Sequence, residues 1–274
     1  MKLVSSIVLY KHSENQTSQL ITKLLSSTLL SKLVVIDNGG CSWASKLADN
    51  RVFYINSHGN IGYGAGHNLA IRRFAADCDF FLICNPDIEV SPAELDHFCL
   101  QAEKEGAVLF MPEIRYPDGR RQYLCKLLPT PLDLFLRRFM PSISRQRNKI
   151  YELQHADYSK PFFSPSLSGC FMLIRSTALL AVGGFDERYF MYLEDTDLSR
   201  RLARYGNALY LPNITVTHHF QKSSYKNLGL LLIHIRSAIL YFNKWGWFFD
   251  RDRSSLNKMC LNKLPSISST NSIL

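Results

Sequence analysis

The chain has 274 residues, 46% of them hydrophobic by a broad count and 20% charged, and its 32 lysines and arginines exceed its 23 aspartates and glutamates to leave a formal +9. That length and apolar content can bury a substantial core, enough for one large domain with an appendage, while the positive balance favours an anionic partner such as a nucleotide, a nucleic acid or a membrane surface. Seven scattered cysteines with no CxxC pair argue against a zinc site and point to reduced, cytosolic thiols, and no apolar run approaches the roughly 20 residues that span a bilayer.

Leu3 to Tyr10 reads as a buried first strand and not a secretion signal, because no small-residue cleavage pattern follows it. A helix over Asn15 to Leu30 and a second strand at Leu33 to Ile36 complete a βαβ opening. Asp37-Asn38-Gly39-Gly40 then falls at the carboxyl end of the second strand, where open α/β sheets bind ligands. The same four residues also suit a plain turn. After a short helix at Ser42 to Ala48 and a strand at Val52 to Ile55 comes His58-Gly-Asn-Ile-Gly-Tyr-Gly-Ala-Gly-His-Asn68, followed by a helix over Asn68 to Ala76. Its glycines allow a close backbone approach to phosphate or sugar. Their spacing is not GxGxxG and the unit follows the third strand, which rejects a dinucleotide fingerprint; a flexible loop is the competing reading.

Asp79 to Cys84 is a buried strand that runs into Asn85-Pro86-Asp87. Proline ends the ladder there and presents Asp87 at the strand exit, a placement suited either to a hard divalent cation on a diphosphate or to a simple turn. Ser91-Pro92 caps a helix over Ala93 to Glu105, a strand follows at Ala107 to Met111, and Tyr116-Pro-Asp-Gly119 marks a hairpin turn. Residues 126 to 160 lose periodicity and carry Arg137, Arg138, Arg145, Arg147 and Lys149, an excursion read as a flap over a site or a solvated loop. Ser168-Gly-Cys-Phe-Met-Leu-Ile-Arg175 is a small-residue turn entering a buried strand.

Gly183 to Gly206 packs a Gly-Gly break, an aromatic run and the acids Glu194, Asp195 and Asp197 into the start of an amphipathic helix. Leu198, Leu202 and Tyr205 share its apolar face, Arg200, Arg201 and Arg204 take the solvent side, and Asp197 and Arg201 are spaced to pair. The acids form a poised site or merely complement the helix dipole. Strands at Ala208 to Leu211 and Ile214 to Thr217 lead to His218-His219, of which one imidazole should point inward as a metal ligand, and Lys222, Ser223 and Ser224 are placed to reach phosphate. Tyr225 to Phe249 is a helix that serves as an interfacial anchor or packs on the main domain, and the tail from Ser254 is expected to be mobile.

Asp37-Asn38, Asn60 to Asn68, Asn85-Pro86-Asp87, Ser168 to Arg175 and Glu194 to Asp197, in this order and spacing, resemble the inverting family 2 glycosyltransferases of the GT-A fold, most closely the bacterial rhamnosyltransferases that build O-antigen and other surface polysaccharides. The resemblance covers roughly residues 3 to 245 and extends to Arg236 through Lys244. It implies an α/β GT-A architecture with a Rossmann-like half and a mixed central sheet: a domain at 1–225, divided into a nucleotide-sugar half (1–112) and an acceptor half (113–225), an amphipathic helical segment at 226–253 and a flexible tail at 254–274. Residue by residue, it implies that Tyr10, Asp37, Asn38, Asn60, Gly62, Asn68, Asn85 and Asp87 surround the nucleotide-sugar. Asp195 becomes the catalytic base with Glu194 beside it; Ser168, Gly169, Cys170 and Glu194 face the acceptor; Asp87 and His218 hold Mg2+ or Mn2+. Asn85 stands where the family's DxD motif has its first aspartate, which removes one charged ligand. The implied donor is dTDP-rhamnose or a UDP-sugar, and the acceptor a lipid-linked saccharide at the inner face of the cytoplasmic membrane, where the chain would sit peripherally; self-association is left open. A UDP-hexose transferase and a nucleotide-sugar-binding protein without turnover are the rivals. No nucleic-acid module is present among the dispersed basic residues.

Overall fold

The first strand, β1 (Leu3–Leu9), is buried at every position, which only the middle of a sheet covered on both faces can provide. The computed structural model, which describes residues 1–140, 142–219 and 228–265, continues with α1 (Glu14–Leu25), β2 (Leu30–Asp37), a 3-10 turn at Ser42–Lys46, β3 (Val52–Asn56), α2 (Tyr63–Phe74) and β4 (Phe80–Cys84). β1, β2, β3 and β4 are parallel, and the register sets Leu9 beside Asp37 and Ile7 beside Cys84. The exits of β1, β2 and β4 therefore share one edge of the sheet.

The second half runs through β5 (Ile88–Glu89), α3 (Pro92–Lys104), β6 (Leu109–Arg115), β7 (Cys125–Lys126), α4 (Pro131–Phe139), α5 (Arg145–Tyr151), β8 (Phe162–Phe163), β9 (Ser166–Leu167) and β10 (Phe171–Arg175). It ends with α6 (Ser176–Ala181), α7 (Glu194–Leu202), β11 (Ala208–His218), α8 (Leu228–Trp245) and α9 (Arg251–Leu261). Among the described residues nine strands form one sheet in the order β3-β2-β1-β4-β10-β6-β11-β5, with β8 on β11, while β7 and β9 pair separately. β10 lies antiparallel between β4 and β6, which makes the sheet mixed. This is the mixed α/β sheet that the resemblance implies. No described helix is long and apolar enough to cross a membrane.

Several elements depart from the sequence-based expectations. α1 ends at Leu25 because Ser26 closes its last turn, and β2 starts as early as Leu30. α2 begins at Tyr63, not Asn68, since Gly62 turns the chain before it. Residues 126 to 160 are not irregular: Thr130 accepts from the Asp133 N–H and Asp133 bonds back, a capping box that starts α4 with Pro131 in its first turn. The strands expected around Leu211 and Ile214 are one strand with an irregularity between Leu211 and Thr215. Tyr205 is exposed, whereas Leu198 and Leu202 are buried.

Arg200 does not face solvent. It is 3% exposed, its guanidinium forms a fork onto Asp250 and stacks 4.0 Å from the centre of the Trp245 ring, because α8 and α9 cover that face of α7. The chain past Ser254 is likewise helical as far as Leu261. Asp250 caps α9 by accepting from the Arg253 N–H at 2.9 Å, Cys260 is fully buried, and Asn257 bonds both backbone groups of Leu128 at 2.8 and 3.0 Å. Lys222, Ser223 and Ser224 lie outside the described residues.

Candidate functional site

Asp37 sits at the exit of β2 with its carboxylate fully engaged: Oδ1 accepts from Gly39 N (2.7 Å) and Cys41 N (3.1 Å), and Oδ2 accepts from the Tyr54 hydroxyl (3.0 Å). Asn38 beside it is buried and donates to the Gly62 carbonyl at 2.8 Å, while its Oδ1 has no hydrogen-bond partner among the described residues. Tyr10, partly exposed at the exit of β1, lies over Gly39. Asn60 is exposed and accepts from the Gly62 N–H at 3.2 Å.

Two expected members of the nucleotide-sugar set are engaged with the protein itself. Gly62 has φ +95°, and a Cβ there would lie 2.4 Å from the Phe190 carbonyl oxygen. Its lack of a side chain admits protein backbone, not a ligand. Asn68 is buried with both ends of its amide taken, accepting from Phe185 N (2.8 Å) and donating to Phe185 O and Glu187 Oε1 (both 2.9 Å). It clamps the Gly183–Glu187 loop onto α2, which fixes the entry to the acidic segment.

At the exit of β4, Asn85 N donates to the Cys170 carbonyl at 2.8 Å, so the Asn85-Pro86-Asp87 turn abuts the Ser168-Gly169-Cys170 turn. Asp87 Oδ1 lies 3.3 Å from Nε2 of His218, the last residue of β11, and Asn85 Nδ2 is 3.5 Å from the same nitrogen. His219 faces the other way, toward Glu89 at 3.5 Å. Burial raises the Asp87 carboxyl, but the hydrogen bond and charge of His218 outweigh it and hold the group below its ordinary value. Burial pulls His218 down, yet Cys170 and Asp87 push it up to about 10.

Gln122 holds the imidazole from behind: its Oε1 accepts from Nδ1 at 2.9 Å and its Nε2 donates to the His218 carbonyl at 2.8 Å. Without a bound cation the protonated ring turns its Nε2 proton toward Asp87; a cation taking that proton's place would meet the Nε2 lone pair, with Gln122 as the outer partner that a ligating histidine needs. Asp87 Oδ1 is buried, with His218 Nε2 3.3 Å away. An oxygen and an imidazole so placed fit a divalent cation that takes its other ligands from phosphate. No group of three or more His, Cys, Asp or Glu suited to a metal occurs among the described residues, so the protein's share of such a shell is small.

The acidic helix enters through Tyr192 (φ 71°) and Leu193 (φ 64°), two successive left-handed non-glycine residues. Strain of this kind costs of order 1–3 kcal/mol per residue and concentrates where side chains must be aimed. Here it aims the first acids of α7. Asp195 Oδ2 accepts from the Gly169 N–H (2.9 Å) and Oδ1 from the Thr196 N–H (2.7 Å), and the Gly169 carbonyl accepts from the Tyr63 hydroxyl at 2.6 Å. Glu194 is 7% exposed, its Oε2 lacks a partner among the described residues, and burial together with the Asp195 charge pushes its carboxyl up to about 8. Glu194 is thus protonated at neutral pH. Asp197 belongs elsewhere: fully buried, it joins Arg201 (2.8 Å), Lys244 (2.7 Å) and the Trp245 indole (2.8 Å).

Glu194, Asp195, Ser168 and His218 line one cavity of about 490 Å³. Asp87 is not on its wall but adjoins it through His218, whereas Tyr10, Asp37 and Asn60 lie outside it. Gly169 and Cys170 do not line it, Cys170 being 4% exposed with its carbonyl spent on Asn85. The cavity is also lined by residues that sequence reasoning did not single out: Gln122, Lys126, Tyr192 and His234. Nothing local in the sequence signalled them, because residues as far apart as Gln122 and His218 meet there.

No family model matches the chain. Among curated proteins, the N-acetylglucosaminyl-diphospho-decaprenol L-rhamnosyltransferase of Mycobacterium tuberculosis is 30% identical over 239 residues, 79% of this chain and 76% of that protein. The rhamnosyltransferase WbbL of Escherichia coli is 28% identical over 255 residues, 86% of this chain and 91% of that one. Among solved structures, GalNAc-T7 with UDP, GalNAc and Mn2+ superposes with a TM-score of 0.59 at 14% identity over 82% of this chain, which spans 44% of that chain.

Proposed function

This chain belongs to the bacterial rhamnosyltransferases, glycosyltransferases of the GT-A fold, and we propose that it transfers L-rhamnose from dTDP-rhamnose to a lipid-linked saccharide in cell-surface polysaccharide (O-antigen) synthesis, at the inner face of the cytoplasmic membrane. The observation that carries this reading is one cavity lined by Asp195 and by His218, with Asp87 3.3 Å from His218. On this reading Asp195 is the base in the cavity and Asp87, which adjoins it through His218, is the acid on the diphosphate side.

Asp195 acts as general base and removes the proton from the acceptor hydroxyl, a contribution of typically 10²–10⁴-fold. The Gly169 and Thr196 N–H groups orient its carboxylate, and Glu194 beside it is protonated below about pH 8. Attack from that side displaces the nucleoside diphosphate from the far side and inverts the anomeric centre. Asp87 and His218, held by Gln122, are the residues that would bind Mg2+ or Mn2+, which supplies Lewis-acid stabilisation of the leaving diphosphate. Asp37, Asn38, Tyr10 and Asn60 provide the surface for base and ribose.

A UDP-hexose transferase is the second reading, favoured by the UDP bound in GalNAc-T7. A panel of dTDP- and UDP-sugars, assayed for slow hydrolysis and for transfer to a lipid-linked saccharide, separates the two. Turnover of dTDP-rhamnose above all others is the expected result; faster turnover of a UDP-hexose would replace the first reading by the second, and binding without turnover of any donor would leave a binding protein.

A further inference from the structure

α4 and α8 leave between them a second hollow, an apolar groove of about 180 Å³ walled by Leu134, Phe135 and Phe139 on one side and Ile235, Ala238 and Ile239 on the other. Its rim is unusually open for such residues: Phe135 and Phe139 are each 53% exposed and Ile239 45%. Contiguous apolar surface of this kind marks an interaction site. The groove is not isolated, because Leu134, Arg138 and His234 line both it and the cavity that holds Asp195.

The junction is cationic. Lys126, Arg137 and Arg138 stand on the cavity side of it, with Glu152 bonded to Arg137 at 2.9 Å. Burial and then the neighbouring cations hold both His234 and Lys126 below their ordinary values, the mark of a place where positive charge is crowded. From the outside inward the order is therefore an apolar trough, a cluster of cations and a carboxylate base. A polyprenyl diphosphate sugar has the same order of parts: hydrocarbon, dianionic linker, hydroxyl-bearing ring.

We propose that the α4–α8 groove binds the proximal isoprene units of a polyprenyl diphosphate-linked acceptor, seating its diphosphate by Lys126, Arg137 and Arg138 and its sugar at Asp195. The assignment rests on the glycosyltransferase reading of the cavity and adds to it where the lipid lies. A membrane surface or a second copy of the chain would meet the same exposed rings, but neither calls for a trough that ends in cations at the entrance to the base.

The test uses the full chain and farnesyl diphosphate, farnesol and inorganic diphosphate as probes, with Trp247 in the groove wall as a fluorescent reporter and calorimetry as a second measure. The intact protein should bind farnesyl diphosphate at least about tenfold more tightly than inorganic diphosphate, as burial of several methylene groups requires. Ile239→Asp should abolish that preference, with affinity for inorganic diphosphate and for the donor nucleotide unchanged; Phe135→Asp on the facing wall gives an independent variant should the first not fold. Unchanged preference in the folded variants overturns the proposal, whether they lose binding to phosphatidylcholine vesicles, which would assign the face to a membrane, or lose mass by light scattering, which would assign it to a second copy. Because the probes contain neither donor nor acceptor sugar, a chain that keeps the preference but transfers nothing refutes the catalytic reading alone.

Discussion

Replacing Glu194 by glutamine removes an ionisable group from a site where its ionisation costs the fold most. Burial and Asp195 raise its carboxyl from 4.5 to about 8 in the folded chain, so the folded state holds a proton that the unfolded chain gives up. The stability this group permits is complete below about pH 4.5 and is lost as the pH rises through about 8. At 1.36 kcal/mol per pKa unit, the loss between pH 5 and pH 9 is on the order of 4 kcal/mol. Glutamine occupies the same volume and has no proton to lose. Urea unfolding of the wild type and of Glu194→Gln should therefore give nearly equal stabilities at pH 5 and a variant that is more stable, by on the order of 4 kcal/mol, at pH 9. Asp195→Asn supplies the internal control, since removing the neighbouring charge must reduce the pH dependence of the remaining glutamate. Parallel stability curves for wild type and Glu194→Gln would refute the raised carboxyl of Glu194.

Asp195→Asn should lower transfer by about 10²–10⁴-fold while nucleotide affinity, measured by calorimetry, stays within a factor of two or so; retained turnover would remove Asp195 from the base role. Gln122→Ala should weaken Mn2+-dependent nucleotide binding by about 10–100-fold, the usual cost of losing a ligand's outer partner, and equal affinity in wild type and variant would leave Gln122 with a structural role only. Asp250→Ala strands the buried Arg200 guanidinium, and a loss of about 3–5 kcal/mol in denaturant unfolding is expected; less than about 1 kcal/mol would show that solvent reaches the pair. Gly62→Ala places a methyl group 2.4 Å from the Phe190 oxygen at a φ of +95°, so a loss of more than about 1 kcal/mol and a lower melting temperature should follow.

The parallel half of the sheet was legible because β1 and β4 are apolar runs that local sequence alone marks as buried, and each ends in a polar turn. The juxtaposition of the Asn85–Asp87 turn with the Ser168–Cys170 turn came only from family resemblance, since the antiparallel insertion of β10 beside β4 joins residues more than eighty apart. Glycines 62 and 184 show a limit of pattern reading. A missing side chain reveals that something comes close, and here it is Phe190 and Asn68 of the protein itself. Arg200 was misplaced on the solvent side because its partner, Asp250, lies fifty residues on, beyond any helical periodicity. α4 could have been found from Thr130-Pro131 and Asp133, but the basic residues that follow drew the reading toward a loop.

Asp197 shares a helix with the acids of the cavity, yet its carboxylate is neutralised by Lys244 and hydrogen-bonded by Trp245 at the far end of α8. The carboxyl-terminal hairpin is thus a keystone for the catalytic helix and no detachable annex. A fragment trimmed at residue 225 would keep every acid named above and still strip two of Asp197's partners, Lys244 and Trp245, from a carboxylate at the root of α7.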